Sequence, residues 1–426
     1  MSAAATTREL SAEASPAPNV VDRSARVSAS GKALITGGYL ILKQPNAGLV
    51  VATTSRFYTT ASWGPRSAES LPAASDGADA TTVLPVVVIS PQFGSTTTFH
   101  LSLAPSGELS VVQAGLAEGD EPNLYILSPI KLAARALAVL EREHFANAAK
   151  AAAAAGLQLN FTLQADNDFY SQRDVLLERG LPLSAVDQLP NFLPYRGSKT
   201  GLGSSAALVS SLTGAMLVTF ADAKGKYINF SGPVAESPGK TLAFVVAQLA
   251  HAEAQHSIGS GFDIASAVVG SCRYVRFSKA RLTGVFDGEL DDDAFRALIL
   301  DTWDHEVREF VLPPRFAMLM GDVSAGSVTT SMSRRVLKWL AEGGEAAAQH
   351  WQTVADTNAS VEAAFAEVSE AAKQHPEHYN AVLDVLAATS PKDWAEAAVD
   401  GEQATAVRDL VVKLRAGLRK VRSRVQ

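Results

Sequence analysis

Lys199-Thr200-Gly201-Leu202-Gly203-Ser204-Ser205-Ala206-Ala207 is a glycine-rich turn with two adjacent serine hydroxyls, and it runs straight into an apolar segment. Gly201 and Gly203 carry no Cβ, so the backbone can turn tightly there and bring its N–H groups against an anion. Ala206, Ala207, Leu208, Leu212 and Met216 keep an apolar face at helical spacing, which predicts a helix from Ser204 to Phe220 with its positive dipole end at the loop. Ser204 and Ser205 can cap that helix or reach a metal bound to a phosphate. These residues leave two readings open, a phosphate cradle and an ordinary serine-capped turn.

Two standard nucleotide signatures come close and fail. Gly201-x-Gly203-x-x-Ala206 has the spacing of the dinucleotide fingerprint, and Asp222 stands where a ribose ligand would be expected. The stretch before it, Asn191 to Ser198, is not the buried apolar strand that a βαβ unit requires, and Asp222 follows the same helix. Gly239-Lys240-Thr241 looks like the tail of a P-loop, but Val234 occupies the place of its leading glycine.

A helix expected from Thr241 to about His256 carries His251, Glu253, Gln255 and His256, then breaks into Ser257-Ile258-Gly259-Ser260-Gly261-Phe262-Asp263. Asp263 heads a small-residue segment, Ile264 to Val269, either as its N-cap or as a carboxylate aimed at a reacting centre beside Ser260. His251 and Glu253 read as solvated helix positions more than as ligands. Glu253 stays a metal candidate because a magnesium site wants a carboxylate near its hydroxyl. A third polar cluster, Gly321 to Ser331, again sets glycine and small hydroxyls ahead of a helix, and reads equally as a second anion site or a polar connection.

The elements that must position these groups are strands first and helices later. From Ser24 the chain reads as a strand, a tight turn in Gly31 to Leu42, and a second strand or short helix. Further strands are expected at Leu49 to Thr53, Phe57 to Ala61, Val86 to Ile89, Thr97 to Leu103, Leu109 to Gln113 and Leu157 to Ala165, with a loop over Pro65 to Asp79. A helix is expected from Pro129 to Leu140, continued by an alanine-rich stretch to Ala155. Phe310 to Asp322 reads as one more strand, an edge or strand start because it contains Pro313-Pro314. Beyond Met332 nearly everything reads as helix, including Val361 to Gln374, Tyr379 to Ala388 and Glu402 to Val421. There is no internal repeat, and the order implies an α+β fold of two lobes.

Composition narrows the class. A chain of 426 residues with 47% hydrophobic side chains buries a large core, and a formal charge of -7 argues against a nucleic-acid partner, which calls for a basic field. The lone cysteine, Cys272, excludes an internal disulfide and a cysteine-rich zinc site. No apolar run approaches the roughly 18 residues that span a bilayer, so no membrane role is expected. The first 22 residues, rich in Ala, Ser and Pro, read as a disordered leader without a secretion signal, and the expected compartment is cytoplasmic.

Taken together, Gly31-Lys32 to Leu42, Lys199 to Ala207, Ala165 to Gln172, Gly259 to Ala265 and Gly321 to Ser327 resemble the GHMP kinases, and within them the eukaryotic-type branch acting on 5-phosphomevalonate. The resemblance runs from about Ser28 to Lys420. It implies a ribosomal-protein-S5-like N-terminal domain over residues 23–305 and a ferredoxin-like C-terminal domain over 306–426. ATP and Mg2+ are the implied cofactors and 5-phosphomevalonate the small-molecule acceptor, in a monomer or homodimer. Lys199, Gly201, Leu202, Gly203, Ser204, Ser205 and Ala206 would hold the triphosphate, and Ser205 and Glu253 the metal. Lys32 and Asp263 would flank the acceptor as catalytic residues, with Ser260, Gly261, Ser324 and Ser327 binding it. The family's third glycine-rich motif, of the kind Gly-Ala-Gly-Gly-Tyr-Asp, has no counterpart here. That departure implies a truncated chain whose C-terminal domain lacks its last strands. A kinase for another small acceptor, such as mevalonate, is a second reading within the same fold, and the missing motif motivates a contrasting class, a non-catalytic nucleotide-binding or interaction protein.

Overall fold

The computed structural model describes residues 24–67, 81–222, 225–230, 237–282, 285, 290–321 and 329–425. Eight strands among them form one sheet: β1 (Ala25–Thr36), β2 (Ala47–Pro65), β3 (Thr82–Ser90), β4 (Ser95–Leu103), β5 (Leu109–Gln113), β6 (Leu157–Ala165), β7 (Cys272–Val275) and β8 (Glu306–Glu309). Their order is β5-β4-β3-β6-β2-β7-β8, and β1 pairs with the opposite edge of β2. Only β3 and β6 run parallel. Alternation explains the pairing: Phe57, Thr59 and Ala61 of β2, and Leu159, Phe161, Leu163 and Ala165 of β6, are buried while their neighbours are half-exposed.

β2 unites what the sequence presents as two short strands. A register shift between Ser30 and Lys32 of β1 takes up Thr53 to Ser55, so one 19-residue strand serves both halves of the sheet. The expected loop from Pro65 to Asp79 and the leader at residues 1–22 fall wholly or mostly outside the described residues.

Helices α1 (Leu124–Leu140), α2 (Arg142–Ala154), α4 (Ser204–Thr219) and α6 (Phe262–Val269) cover the sheet, α5 (Pro238–Ala254) and α7 (Asp292–Leu300) pack outside them, and α3 (Arg173–Glu178) joins Ala185 and Leu189 in a small separate cluster. The long helix expected up to Ala155 breaks at Glu141, whose φ of -133° closes α1. α4 is buried nearly all round instead of on one face, packed between the sheet and α1, α5 and α6. Gly214 lets it approach β1, since a Cβ there would sit 3.0 Å from Val27 Cγ1.

The second lobe consists of α8 (Thr329–Glu342), α9 (Gly344–Gln374), α10 (Pro376–Ala388) and α11 (Glu402–Val425). Val361, Phe365, Val368, Val407, Val411 and Leu414 form its core, into which Leu49 of β2 projects. α9 and α11 cross closely at Gly417, where a Cβ would meet Val361 Cγ2 at 2.7 Å. The α+β class is therefore as expected. The strand expected from Phe310 to Asp322 is not formed over the described part, Phe310 to Gly321. Pro313 and Pro314 remove two successive N–H donors, Arg315 takes a φ of 67°, and the segment instead hangs from α10 through Tyr379, whose hydroxyl donates to the Pro314 carbonyl (2.7 Å).

Candidate phosphate-handling site

The edge of β1 is the frame of the site. Lys32 donates its backbone N–H to the Leu202 carbonyl (2.8 Å) and its ammonium to the Gly201 carbonyl (2.8 Å), so the strand holds the glycine loop at both ends of one residue. Gly31 permits this approach: a Cβ there would lie 2.6 Å from Thr53 Oγ1 and 3.0 Å from the Leu202 oxygen. Gly201 and Gly203 both have φ of 79°, a left-handed conformation that glycine adopts at least cost. The Lys32 stem packs over Gly203, where a Cβ would stand 3.2 Å from Lys32 Cγ.

The loop is braced from behind by the Asp166-Asn167-Asp168 segment. Asp166 accepts the Arg56 N–H (2.8 Å), Asp168 accepts the Ser55 hydroxyl (2.7 Å), and Asn167 accepts the Leu193 N–H (2.9 Å) while donating to the Pro190 carbonyl (2.8 Å). Thr200 then donates its N–H to Phe169 and its hydroxyl to Asp168, and Tyr170 and Lys199 form a bridge. α4 begins immediately after Gly203 with no side-chain cap, so its first N–H groups are not taken by a capping side chain. Its dipole favours an anion there.

α6 starts the same way. Gly261 has φ of 85°, again with no side-chain cap, and Asp263 stands in the first turn, where its Oδ1 accepts the Ile264 N–H (3.0 Å). Gln248 of α5 seals the turn by donating to the Gly261 carbonyl (2.8 Å), and a Cβ on Gly261 would collide with that amide at 2.6 Å. The Tyr274 hydroxyl donates to the Ser260 carbonyl (2.8 Å), and buried Arg276 reaches the carbonyls of Gly259 (3.0 Å) and Leu42 (2.8 Å), tying this loop to the turn after β1. Lys32 and Asp263 face the same space without a direct ion pair. Burial pushes the Lys32 ammonium below its ordinary range, and the Asp263 charge opposes that fall.

His251 is not solvated, as the sequence suggests, but 5% exposed. Its Nε2 lies 3.2 Å from Ser205 Oγ and 2.8 Å from the Gln255 amide nitrogen. Burial lowers its pKa, partly offset by Asp263. Glu253, two residues on and so about 200° around the helix, points to α1, where Lys131 pairs with it at 2.5 Å. The structure therefore brings together Lys32, Gly201, Leu202, Gly203, Ser205 and His251, and places Asp263, Ser260 and Gly261 opposite; it does not bring Glu253 to Ser205. Ser324 and Ser327 lie outside the described residues. Among the described residues no group of three His, Cys, Asp or Glu side chains gathers as a metal site. Sequence reasoning missed Gln248, Arg276 and the positioning of His251. The signal for two of them is a polar row, Gln248, His251 and Gln255, at spacings of three and four on an otherwise apolar helix.

An uncapped, glycine-entered helix start with a lysine laid across it is a candidate anion site. No protein-family model matches the chain. It is 31% identical over 419 residues to the peroxisomal phosphomevalonate kinase of Arabidopsis thaliana, covering 92% of this chain and 79% of that one. It is 33% identical over 376 residues to a phosphomevalonate kinase of Gibberella zeae, covering 84% and 76%. The chain belongs to the phosphomevalonate kinase family. A solved structure, the Streptococcus pneumoniae phosphomevalonate kinase in complex with phosphomevalonate and AMPPNP, aligns over 92% of this chain and 80% of that one at 13% identity, with a TM-score of 0.46, too remote a superposition to place a ligand by. No helix among the described residues is long and apolar enough to cross a membrane.

Proposed function

We propose that this chain transfers the γ-phosphoryl group of ATP to the phosphate of 5-phosphomevalonate, giving ADP and 5-diphosphomevalonate. The observation that carries the reading is the double hold of Lys32 on the glycine loop, within reach of Asp263's field, in a chain whose relatives are named phosphomevalonate kinases. In this reaction an oxygen of the acceptor phosphate attacks the γ-phosphorus and the bond to the β–γ bridging oxygen breaks. A phosphate monoester has a second pKa of about 6, so the acceptor is already a nucleophilic dianion at neutral pH and needs no general base.

What the protein must supply is approach of two polyanions in line. Gly201, Leu202, Gly203, Ser204, Ser205 and Ala206 present backbone N–H groups and hydroxyls to the triphosphate, and Lys199 stands at the loop entrance. Lys32 neutralises charge on the transferred group. Asp263 orients Lys32 and the acceptor beside Ser260 and Gly261, and Ser324 and Ser327, outside the described residues, are proposed acceptor-binding residues on the family resemblance alone. Mg2+ would shield the β- and γ-phosphates; it is suited to a site with few protein ligands because it keeps phosphate oxygens and waters. Ser205 fits that role and Glu253, held by Lys131, does not. The cytoplasm is the proposed compartment, although the Arabidopsis thaliana relative is named as peroxisomal. A coupled assay of ADP release tests the reaction: turnover with 5-phosphomevalonate and not with mevalonate is expected. Turnover with mevalonate instead, or nucleotide binding with no turnover, overturns it.

A further inference from the structure

Arg276, just past the end of β7, is buried, yet its guanidinium forms no ion pair among the described residues. It donates instead to three backbone carbonyls: Nε to Phe277 (3.0 Å), one Nη to Leu42 (2.8 Å) and the other to Gly259 (3.0 Å). A guanidinium only donates and a carbonyl only accepts, so the direction of all three bonds is fixed. Gln44 closes the clasp from the other side by donating its side-chain amide to the Arg276 carbonyl (2.8 Å). Burying a cation without an acid is costly. What this one secures is position, because Leu42 ends the turn after β1 and Gly259 opens the turn that leads to Asp263.

That second turn is pinned along its length. Tyr274 of β7 donates to the Ser260 carbonyl (2.8 Å) and Gln248 of α5 to that of Gly261 (2.8 Å). Three successive carbonyls are therefore each held by a side chain from outside the turn. A peptide unit is planar, so pinning them fixes the path of the turn and the direction in which Asp263 leaves it.

We propose that Arg276 is a positioning residue for the acceptor: it locks the turn at residues 259–263 against the turn after β1, so that the acceptor meets a turn already formed. The inference rests on the reading of residues 259–263 as the acceptor side of a kinase, and it extends that reading to a buried arginine outside the glycine-rich segments. Without the clasp the acceptor has to order the turn as it binds, and the cost falls on its affinity. The nucleotide side is held separately, by the bonds of Lys32 to Gly201 and Leu202.

The test compares the wild type with Arg276→Lys and Arg276→Ala. Lysine keeps the charge but offers a single ammonium where the guanidinium fork reaches separate carbonyls. Arg276→Lys is expected to raise the KM for 5-phosphomevalonate about tenfold, or ~1.4 kcal/mol, with kcat within about twofold and the calorimetric affinity for an ATP analogue unchanged. For Arg276→Ala, millimolar methylguanidinium is expected to recover most of the lost acceptor affinity, entering by the cavity of 310 Å³ that Arg276 lines with Leu42, Gln44 and Ser278. A role in stability alone lowers the active fraction, and so kcat, with KM unmoved; that result, or equal weakening of acceptor and nucleotide, overturns the proposal. Hydrogen exchange read by mass spectrometry decides without any substrate. Faster exchange over residues 40–43 and 257–264 in Arg276→Lys, with residues 201–206 unchanged, is expected; exchange equal to the wild type in the first two segments overturns it. Wild-type turnover separates the two readings, because absence of transfer to 5-phosphomevalonate defeats the kinase function while the exchange result still decides whether Arg276 holds the turn.

Discussion

α4 and α6 begin with the same backbone device and end with opposite electrostatics. Each is entered through a left-handed glycine, Gly203 at 79° and Gly261 at 85°, and neither has a side-chain cap. The first turn of α4 carries hydroxyls, with the Lys32 ammonium alongside. The first turn of α6 carries its own carboxylate, Asp263, which already satisfies a local N–H. The α4 start is therefore suited to an anion, while the α6 start supplies negative charge and is suited to a cation. A glycine-led helix N-terminus does not by itself say what it binds; the first-turn side chains decide.

The sharpest way to break this contrast is to remove the charge that each start works with. Lys32→Met is expected to cut turnover about a thousandfold, the scale of losing a preorganised electrostatic donor. Asp263→Asn removes only an orienting charge and is expected to cost about tenfold, or ~1.4 kcal/mol. Next come the glycines. Gly261→Ala forces a side chain into a φ of 85° and against Gln248, and should lower stability by about 3 kcal/mol in denaturant unfolding. Gly201→Ala meets open space and should cost only the left-handed backbone penalty, about 1–2 kcal/mol. Equal losses would mean that the Gln248 seal carries no weight.

A smaller effect is expected at the lobe junction. Asn358 of α9, buried, accepts the Gly37 N–H (3.1 Å), and Arg273 pairs with Glu306 (2.6 Å) and with Glu362 of α9 (2.5 Å). Asn358→Ala orphans a buried donor and should destabilise the protein by about 1–3 kcal/mol in the same unfolding measurement. The smallest effect is expected for Glu253→Gln, whose partner is Lys131: the magnesium dependence of turnover should change by less than about twofold, since a partly exposed ion pair is worth little. A large change there would return Glu253 to the metal.

Short-range chemistry was legible in the sequence. The loop at Lys199 to Ala207, the strands Leu109–Gln113 and Leu157–Ala165, and the start of α4 follow from glycine, alternation and helical spacing within a few residues. The long-range part was not. The local pattern around Lys32 does not show that β1 is the strand the glycine loop lies against, because that neighbour is far away along the chain, and only the family resemblance put the two together. The solvated reading of His251 failed because a polar residue on a helix is assigned to water until the packing partner, here α4, is known. The Glu253 expectation treated nearness in sequence as nearness in space, although two helical residues apart face opposite sides. The strand expected at Phe310 failed where Pro313 and Pro314 outweighed the apolar run.

The central claim, that Lys32 on the α4 start does most of the charge work while Asp263 on the α6 start orients, is tested most directly by single-turnover phosphoryl transfer to 5-phosphomevalonate at saturating ATP, comparing Lys32→Met with Asp263→Asn. The account predicts a loss for Lys32→Met about a hundredfold greater than for Asp263→Asn; near-equal losses would contradict it.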